Sequence, residues 1–242
     1  MLTFSSFTNR GSREINEDSI GCFANNGAHC FVVCDGLGGH GMGDAASQTV
    51  VSVFQDLFSK SGNPARFLPE AFTAAQEILL TEQAALNARQ KMKTTAVALV
   101  TDEHKAYIGH VGDSRLYVFQ NNRVLTRTLD HSIPQMLVLS RQLREEEIRN
   151  HPDRNIVLRV MGVDWESPMY ELAKPLRLRK CQAFLLCTDG FWELILEEEM
   201  CEFLQNSSSP EEWLRRMSAQ VRERGRGRQM DNYSAIAVWN TR

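Results

Sequence analysis

The chain is written in short apolar runs, and these limit its fold more than any other feature. Residues 19–24, 30–34, 95–101, 105–110, 115–119, 123–128, 183–187 and 234–239 read as strands, each bounded by turn residues. Phe31-Val32-Val33-Cys34 and Phe184-Leu185-Leu186-Cys187 carry no polar face, so a layer has to cover each side of them. Between the second and third runs, Ala46, Val50, Val53 and Leu57, then Leu68, Phe72, Ala75, Leu79 and Leu86, recur at mostly three- and four-residue spacing and predict two helices. A third helix begins at Ser209, with Pro210 at its first position and Glu212 completing a capping box. Trp213, Leu214, Met217 and Val221 form its apolar face.

Strands in runs and helices in pairs make this an α+β chain: a central β-sandwich of two mainly antiparallel sheets flanked by helices, in αββα layers. With no linker and no long-period repeat, residues 1–242 are expected to form a single domain. The polar segment 129–178 is an excursion from the sheets, with short helical patterns at 143–149 and 156–161. The basic, glycine-broken stretch 222–228 reads as a solvated loop, with a docking patch as the alternative.

Charge narrows the function. Lys and Arg total 27 against 30 Asp and Glu, a net of −3, which argues against a nucleic-acid partner. No apolar run approaches the ~20 residues of a membrane helix. No apolar run follows a basic N-terminus either, so a cytoplasmic protein without membrane insertion is expected. The six Cys lack C-x-x-C spacing and read as reduced core thiols. A monomer is the expectation.

Carboxylates recur where strands end. Asp35-Gly36 closes the run at 30–34, and Asp189-Gly190 follows Cys187-Thr188. Val111-Gly112 leads into Asp113, and Asp231-Asn232 precedes the last strand. A carboxylate at the end of a buried strand is costly unless paired or bound to a metal. Gathered on one rim, these ends would make an oxygen-only site for Mg²⁺ or Mn²⁺. The other reading is a set of Asp-Gly turns, and spacing alone leaves both open. Zinc is disfavoured, because no Cys/His set has ligand spacing. The charged stretch Arg13-Glu14-Ile15-Asn16-Glu17-Asp18 is either a surface turn or, beside a metal cluster, an Arg clamp for a phosphate oxyanion.

These residues carry a resemblance. Arg13-x-x-Asn16-Glu17-Asp18 and Val33-Cys34-Asp35-Gly36-x-Gly38-Gly39-His40 closely resemble the opening motifs of metal-dependent Ser/Thr protein phosphatases of type 2C. Thr94-Thr95-Ala96, Gly109-x-x-Gly112-Asp113-Ser114-Arg115, Asp130-His131-Ser132, His151-Pro152-x-x-Asn155, Thr188-Asp189-Gly190 and Asp231-Asn232 follow in that family's order, and the glycine-rich form looks like its bacterial stand-alone branch. The resemblance implies hydrolysis of phosphoserine and phosphothreonine in proteins by a metal-bridging water, without a phosphoenzyme. It implies two Mn²⁺ or Mg²⁺ ions bridged by Asp35, with the Gly36 carbonyl, Asp189 and Asp231 as further ligands. Asp113 would help hold a third ion. Glu17 and Asp18 would act through waters, and Arg13 would bind the phosphate. His40 would either serve as general acid or order the glycine loop. Segment 129–178 becomes the family's flap.

The resemblance further implies phosphoprotein partners that are substrates of a Ser/Thr kinase, and a place in type VI secretion control. Two departures, Arg141-Gln142-Leu143 in the flap and Tyr233-Ser234 after the last motif, bear on flap shape and substrate choice. No Cys has an Arg six positions later, and neither Asp35 nor Asp189 opens a D-x-D motif, so the cysteine- and aspartate-based phosphatase loops are absent. Two alternatives remain. One is a dinucleotide-binding oxidoreductase, from Gly36-x-Gly38-x-x-Gly41 with Asp56 further on. The other is an inactive metal-binding pseudophosphatase acting as a sensor or scaffold.

Overall fold

The computed structural model describes residues 2–37, 41–61, 63–89 and 91–241. One sheet holds β1 (Leu2–Asn9), β11 (Tyr233–Asn240), β10 (Ala183–Cys187), β6 (Arg115–Gln120) and β7 (Arg123–Arg127), in that order. The other runs β2 (Asp18–Asn25), β3 (Ala28–Asp35), β4 (Ala96–Thr101), β5 (Lys105–Val111) and β8 (Glu171–Leu172), with β9 (Leu176–Arg177) also on β5. All pairings are antiparallel.

Side chains alternate across a strand, which explains the two-sided apolar runs. Phe31 and Val33 join Leu99, Leu116, Phe184, Leu186 and Ile236 between the sheets. Cys30, Val32 and Cys34 face outward into a second core with α1 (Gly43–Lys60) and α2 (Pro64–Ala85). Leu185 and Cys187 face the opposite way, into a third core under α4 (Asp189–Trp192), α5 (Glu197–Gln205) and α6 (Pro210–Gly225). The chain is therefore four layers deep, helices–sheet–sheet–helices, as expected.

Local signals set the helix ends. Asn63 Oδ1 accepts from the Ala65 N–H (3.0 Å), with Pro64 at the first position of α2. Ser209 Oγ accepts from the Glu212 N–H (3.1 Å) at the start of α6. Glu212 reaches back one residue further than the expected box, accepting from the Ser208 N–H and hydroxyl.

Some elements differ from expectation. β1 has little apolar content and one neighbour, β11, so its pattern carries no two-sided burial signal. Residues 145–150 form a 3-10 helix as the pattern at 143–149 predicts, but 156–161 is not helical: Val157 and Met161 make isolated bridges to Ser132 and Thr94. There, tertiary pairing overrides a short apolar spacing. Segment 129–178 also contains α3 (Ile133–Leu139), capped by Ser132, and returns through β8 and β9 along the edge of β5. Among the described residues no helix is long and apolar enough to cross a membrane.

Candidate active site

The antiparallel order brings the ends of β3, β5, β10 and the start of β11 to one rim of the sandwich. A cavity of about 510 Å³ opens there, lined by Arg13, Glu17, Asp35, Gly36, Asp113, Asp189 and Asp231, with Asn155, Ile156 and Val157 from the excursion opposite. Residues scattered over more than two hundred positions thus share one wall, as the metal-cluster reading requires and a set of independent turns would not.

Neighbouring motifs hold these residues in place. Asp35 is fixed through its backbone: its carbonyl accepts from the Thr95 N–H (2.8 Å) and the Thr94 hydroxyl (2.9 Å), and its N–H donates to Thr95 Oγ1 (3.1 Å). The Gly36 N–H donates to the Glu17 carbonyl (3.1 Å). A side chain at Gly36 would place Cβ 2.2 Å from the Gly43 carbonyl oxygen, so only glycine lets this backbone reach the cavity. Asn232 stitches the N-terminal loop to β11. Its Oδ1 accepts from the Glu17 N–H, and its Nδ2 donates to the Arg10 and Ile15 carbonyls. Thr188 donates to Asp18 Oδ2 (3.0 Å) and accepts from the Ser234 N–H (3.0 Å).

The 129–178 excursion begins on a buried ion pair. Arg115 grips Asp130 with two hydrogen bonds of 2.8 and 2.7 Å and lies over the Trp192 ring, 3.4 Å from its centroid. The Trp192 indole N–H in turn donates to the Asp113 carbonyl (3.0 Å). Gly-Asp-Ser-Arg and Asp-His-Ser are therefore joined as one support for Asp113 and the start of the excursion. Sequence reasoning quoted these motifs without assigning Arg115 or Asp130 that role.

The electrostatics are those of a cation site. Burial, then the charges of Asp189, Asp18 and Asp113, push the Asp35 carboxyl well above the usual carboxylate range. Burial and then Asp189 do the same to Asp113, and burial and then Asp231 raise Asp189. Asp18, buried behind them, is pushed up to about 7, mainly by burial, and its Oδ1 has no hydrogen-bond partner among the described residues. Glu17 is raised by burial and then by Asp44. Grouped carboxylates raise one another in this way unless positive charge joins them. The donor set, carboxylates with one accessible carbonyl, fits a hard divalent cation.

Arg13 is on the rim but bonded to Asp231 at 2.7 Å, so its expected phosphate contact competes with this pair. His40 lies outside the described residues. The sequence reading left Asn155, Ile156 and Val157 without a role; His151-Pro152-x-x-Asn155 was the available signal for the first of them.

Another group of ligand-type side chains lies elsewhere. One ligand atom each from His110, His131 and Glu171 fall within 4.8 Å of one another. The Gly112 N–H donates to His131 Nδ1 (3.1 Å), so in the neutral ring the proton sits on Nε2, facing Glu171 Oε2 at 3.5 Å. That nitrogen offers no lone pair to a metal. The dinucleotide alternative also fails: Asp56 lies inside α1, and no parallel strand pair exists among the described residues.

Residues 8–233 match the family model "Protein phosphatase 2C". The serine/threonine phosphatase stp of Listeria welshimeri is 32% identical over 218 residues, covering 84% of this chain and 82% of that one. The crystal structure of Stp1 from Staphylococcus aureus superposes with a TM-score of 0.91 at 29% identity, covering 100% of this chain and 96% of that one. PppA, described as a key regulatory component of the T6SS in Pseudomonas aeruginosa, gives a TM-score of 0.79 at 28% identity over 98% of this chain and 97% of that one. The chain belongs to the protein phosphatase 2C family of metal-dependent enzymes. It is a serine/threonine protein phosphatase of the bacterial stand-alone kind.

Proposed function

We propose that residues 1–242 act as one monomeric catalytic domain in the cytoplasm, with 129–178 as its flap. In this reading Asp35, the Gly36 carbonyl, Asp189 and Asp231 hold two Mn²⁺ or Mg²⁺ ions, and Asp113 contributes to a third. The support is the convergence of these strand ends on one cavity in which carboxylates push one another's pKa upward. Bound divalent ions supply positive charge at the phosphoryl oxygens and make hydroxide available from water whose pKa falls from ~15.7 to about 7.

The chain's own residues do the rest. Asp18 and Glu17 orient solvent behind the ligands. Arg13, on exchanging its Asp231 bond for substrate, holds a phosphoryl oxygen and offsets its charge. Asn155, Ile156 and Val157 close the cavity from the flap side and position the phosphorylated segment. The proton for the departing Ser or Thr oxygen comes from His40 or from solvent in the cavity. The likeness to PppA favours substrates phosphorylated by a Ser/Thr kinase in type VI secretion control.

The test is hydrolysis of a phosphothreonine peptide with Mn²⁺, with and without chelator. Asp35→Ala and Asp189→Ala should each abolish turnover while the protein stays folded. Full activity of either variant in EDTA sinks the metal mechanism, and a folded wild-type protein that turns over no phosphopeptide with Mn²⁺ favours the scaffold alternative.

A further inference from the structure

A second recess opens beside the catalytic cavity. It measures about 210 Å³ and shares Arg13, Asn155, Asp189 and Asp231 with its neighbour, so the two adjoin. Its far wall brings in Arg154 from the flap and Arg228 from the end of the basic stretch 222–228, whose first four residues belong to the last turn of α6 rather than to the expected loop. Arg154 is committed to Glu193 at 3.2 Å. The Arg228 guanidinium is exposed and has no side-chain partner among the described residues.

The backbone beneath Arg228 is pinned. Its N–H donates to the Gly225 carbonyl (3.0 Å), and the next turn is tied to the N-terminal loop by the Ser12 N–H to the Met230 carbonyl (3.0 Å) and the Met230 N–H to Ser12 Oγ (3.2 Å). An unpaired guanidinium on a fixed backbone, carried by a residue that lines a recess adjoining the carboxylate cavity, is suited to an anionic group. Three arginines line that recess, two of them already paired to carboxylates, which leaves Arg228 as the free positive charge.

We propose that this recess takes an anionic side chain, a second phosphate or a carboxylate, lying within a few residues of the phosphoserine or phosphothreonine being hydrolysed, with Arg228 as the specificity-determining residue. This rests on the catalytic reading above. Neighbours up to three positions away in an extended peptide lie within about 10 Å of the reacting phosphate, the scale of the two adjoining cavities.

The experiment uses the whole chain with Mn²⁺ and phosphothreonine peptides. These carry alanine, glutamate, phosphoserine or lysine at one position from −3 to +3. The readout is the ratio of kcat/KM for each peptide to that of its alanine parent, in wild type, Arg228→Gln and Arg228→Lys. At one position at least, glutamate or phosphoserine should raise the wild-type ratio about three- to fivefold, as expected of an exposed charge pair. Lysine there should lower it. The gain should collapse toward one in Arg228→Gln and return in part in Arg228→Lys. Because phosphoserine is itself a substrate, turnover of that peptide is read as loss of the phosphothreonine phosphate alone, by mass spectrometry of the products; on that readout a phosphoserine gain well above the glutamate gain identifies a phosphate-taking recess, and equal gains a general acidic one, and both support the proposal. Wild-type ratios near one at every position, or a gain that survives Arg228→Gln, overturn it. No turnover of even the alanine parent instead refutes the catalytic reading, so the two failures are distinct.

Discussion

Arg115→Met should cost this protein about 3 kcal/mol. The guanidinium and the Asp130 carboxylate each have side chains only 1% exposed, and two hydrogen bonds join them. Removing one member of a buried pair leaves an uncompensated buried charge, a loss of about 3–5 kcal/mol. The lower end applies because Arg127 stays 3.5 Å from Asp130 Oδ1 and shields part of the charge. For a chain of this size, about 2–4 °C is lost per kcal/mol. Thermal unfolding should therefore fall by roughly 6–12 °C, and urea titration should give the same free-energy loss with an unchanged slope. Arg115→Met with Asp130→Leu removes both charges and should recover most of the loss. A single variant within about 1 kcal/mol of wild type, or a double variant no better than the single, would refute the claim that this pair carries the junction between flap and sheet.

Three further outcomes are expected. Arg13→Ala should lower kcat/KM for a phosphothreonine peptide about a hundredfold while the Mn²⁺ midpoint in a thermal-shift titration moves little; an unchanged kcat/KM would remove the oxyanion role. Gly36→Ala, whose Cβ would lie 2.2 Å from the Gly43 carbonyl oxygen, should unfold at least 5 °C lower and lose turnover; a variant as stable and active as wild type would contradict the close approach. His131 is held neutral, its pKa lowered to about 4 chiefly by burial and then by His110 and Arg159. The unfolded chain binds the proton from about pH 6.5 downward, so stability falls as pH drops from there toward 4, by roughly 3 kcal/mol from this group. His131→Asn should flatten that part of the urea-stability profile, and an unaltered slope would show that the proton goes elsewhere.

Much of the architecture was open to reading along the chain, because both sheets are covered on both faces. Burial on two sides writes continuous apolar runs, and each of the eight predicted strands exists. β1 escaped because an edge strand with one partner needs few apolar residues, and the 156–161 spacing misled because its bridges to Ser132 and Thr94 are set by distant chain. The carboxylates at the strand ends, three of the four with Gly beside them, were likewise visible, and the order of motifs pointed to the family. Residue order alone could not show whether these carboxylates gather or stand apart. Antiparallel pairing carries Asp35, Asp113, Asp189 and Asp231 to one rim.

The amino-acid sequence by itself determined the layers, the start of α6 and the chemical types at the strand ends, since these depend on local periodicity and turn preference. Only the tertiary structure decided that Arg13 rests on Asp231, that Arg115 locks Asp130 at the start of the 129–178 excursion, and that Arg228 lines a recess adjoining the carboxylate cavity. The reason is physical: a charge's partner is fixed by distances of a few ångströms between residues up to two hundred or more positions apart, and no local pattern records such distances.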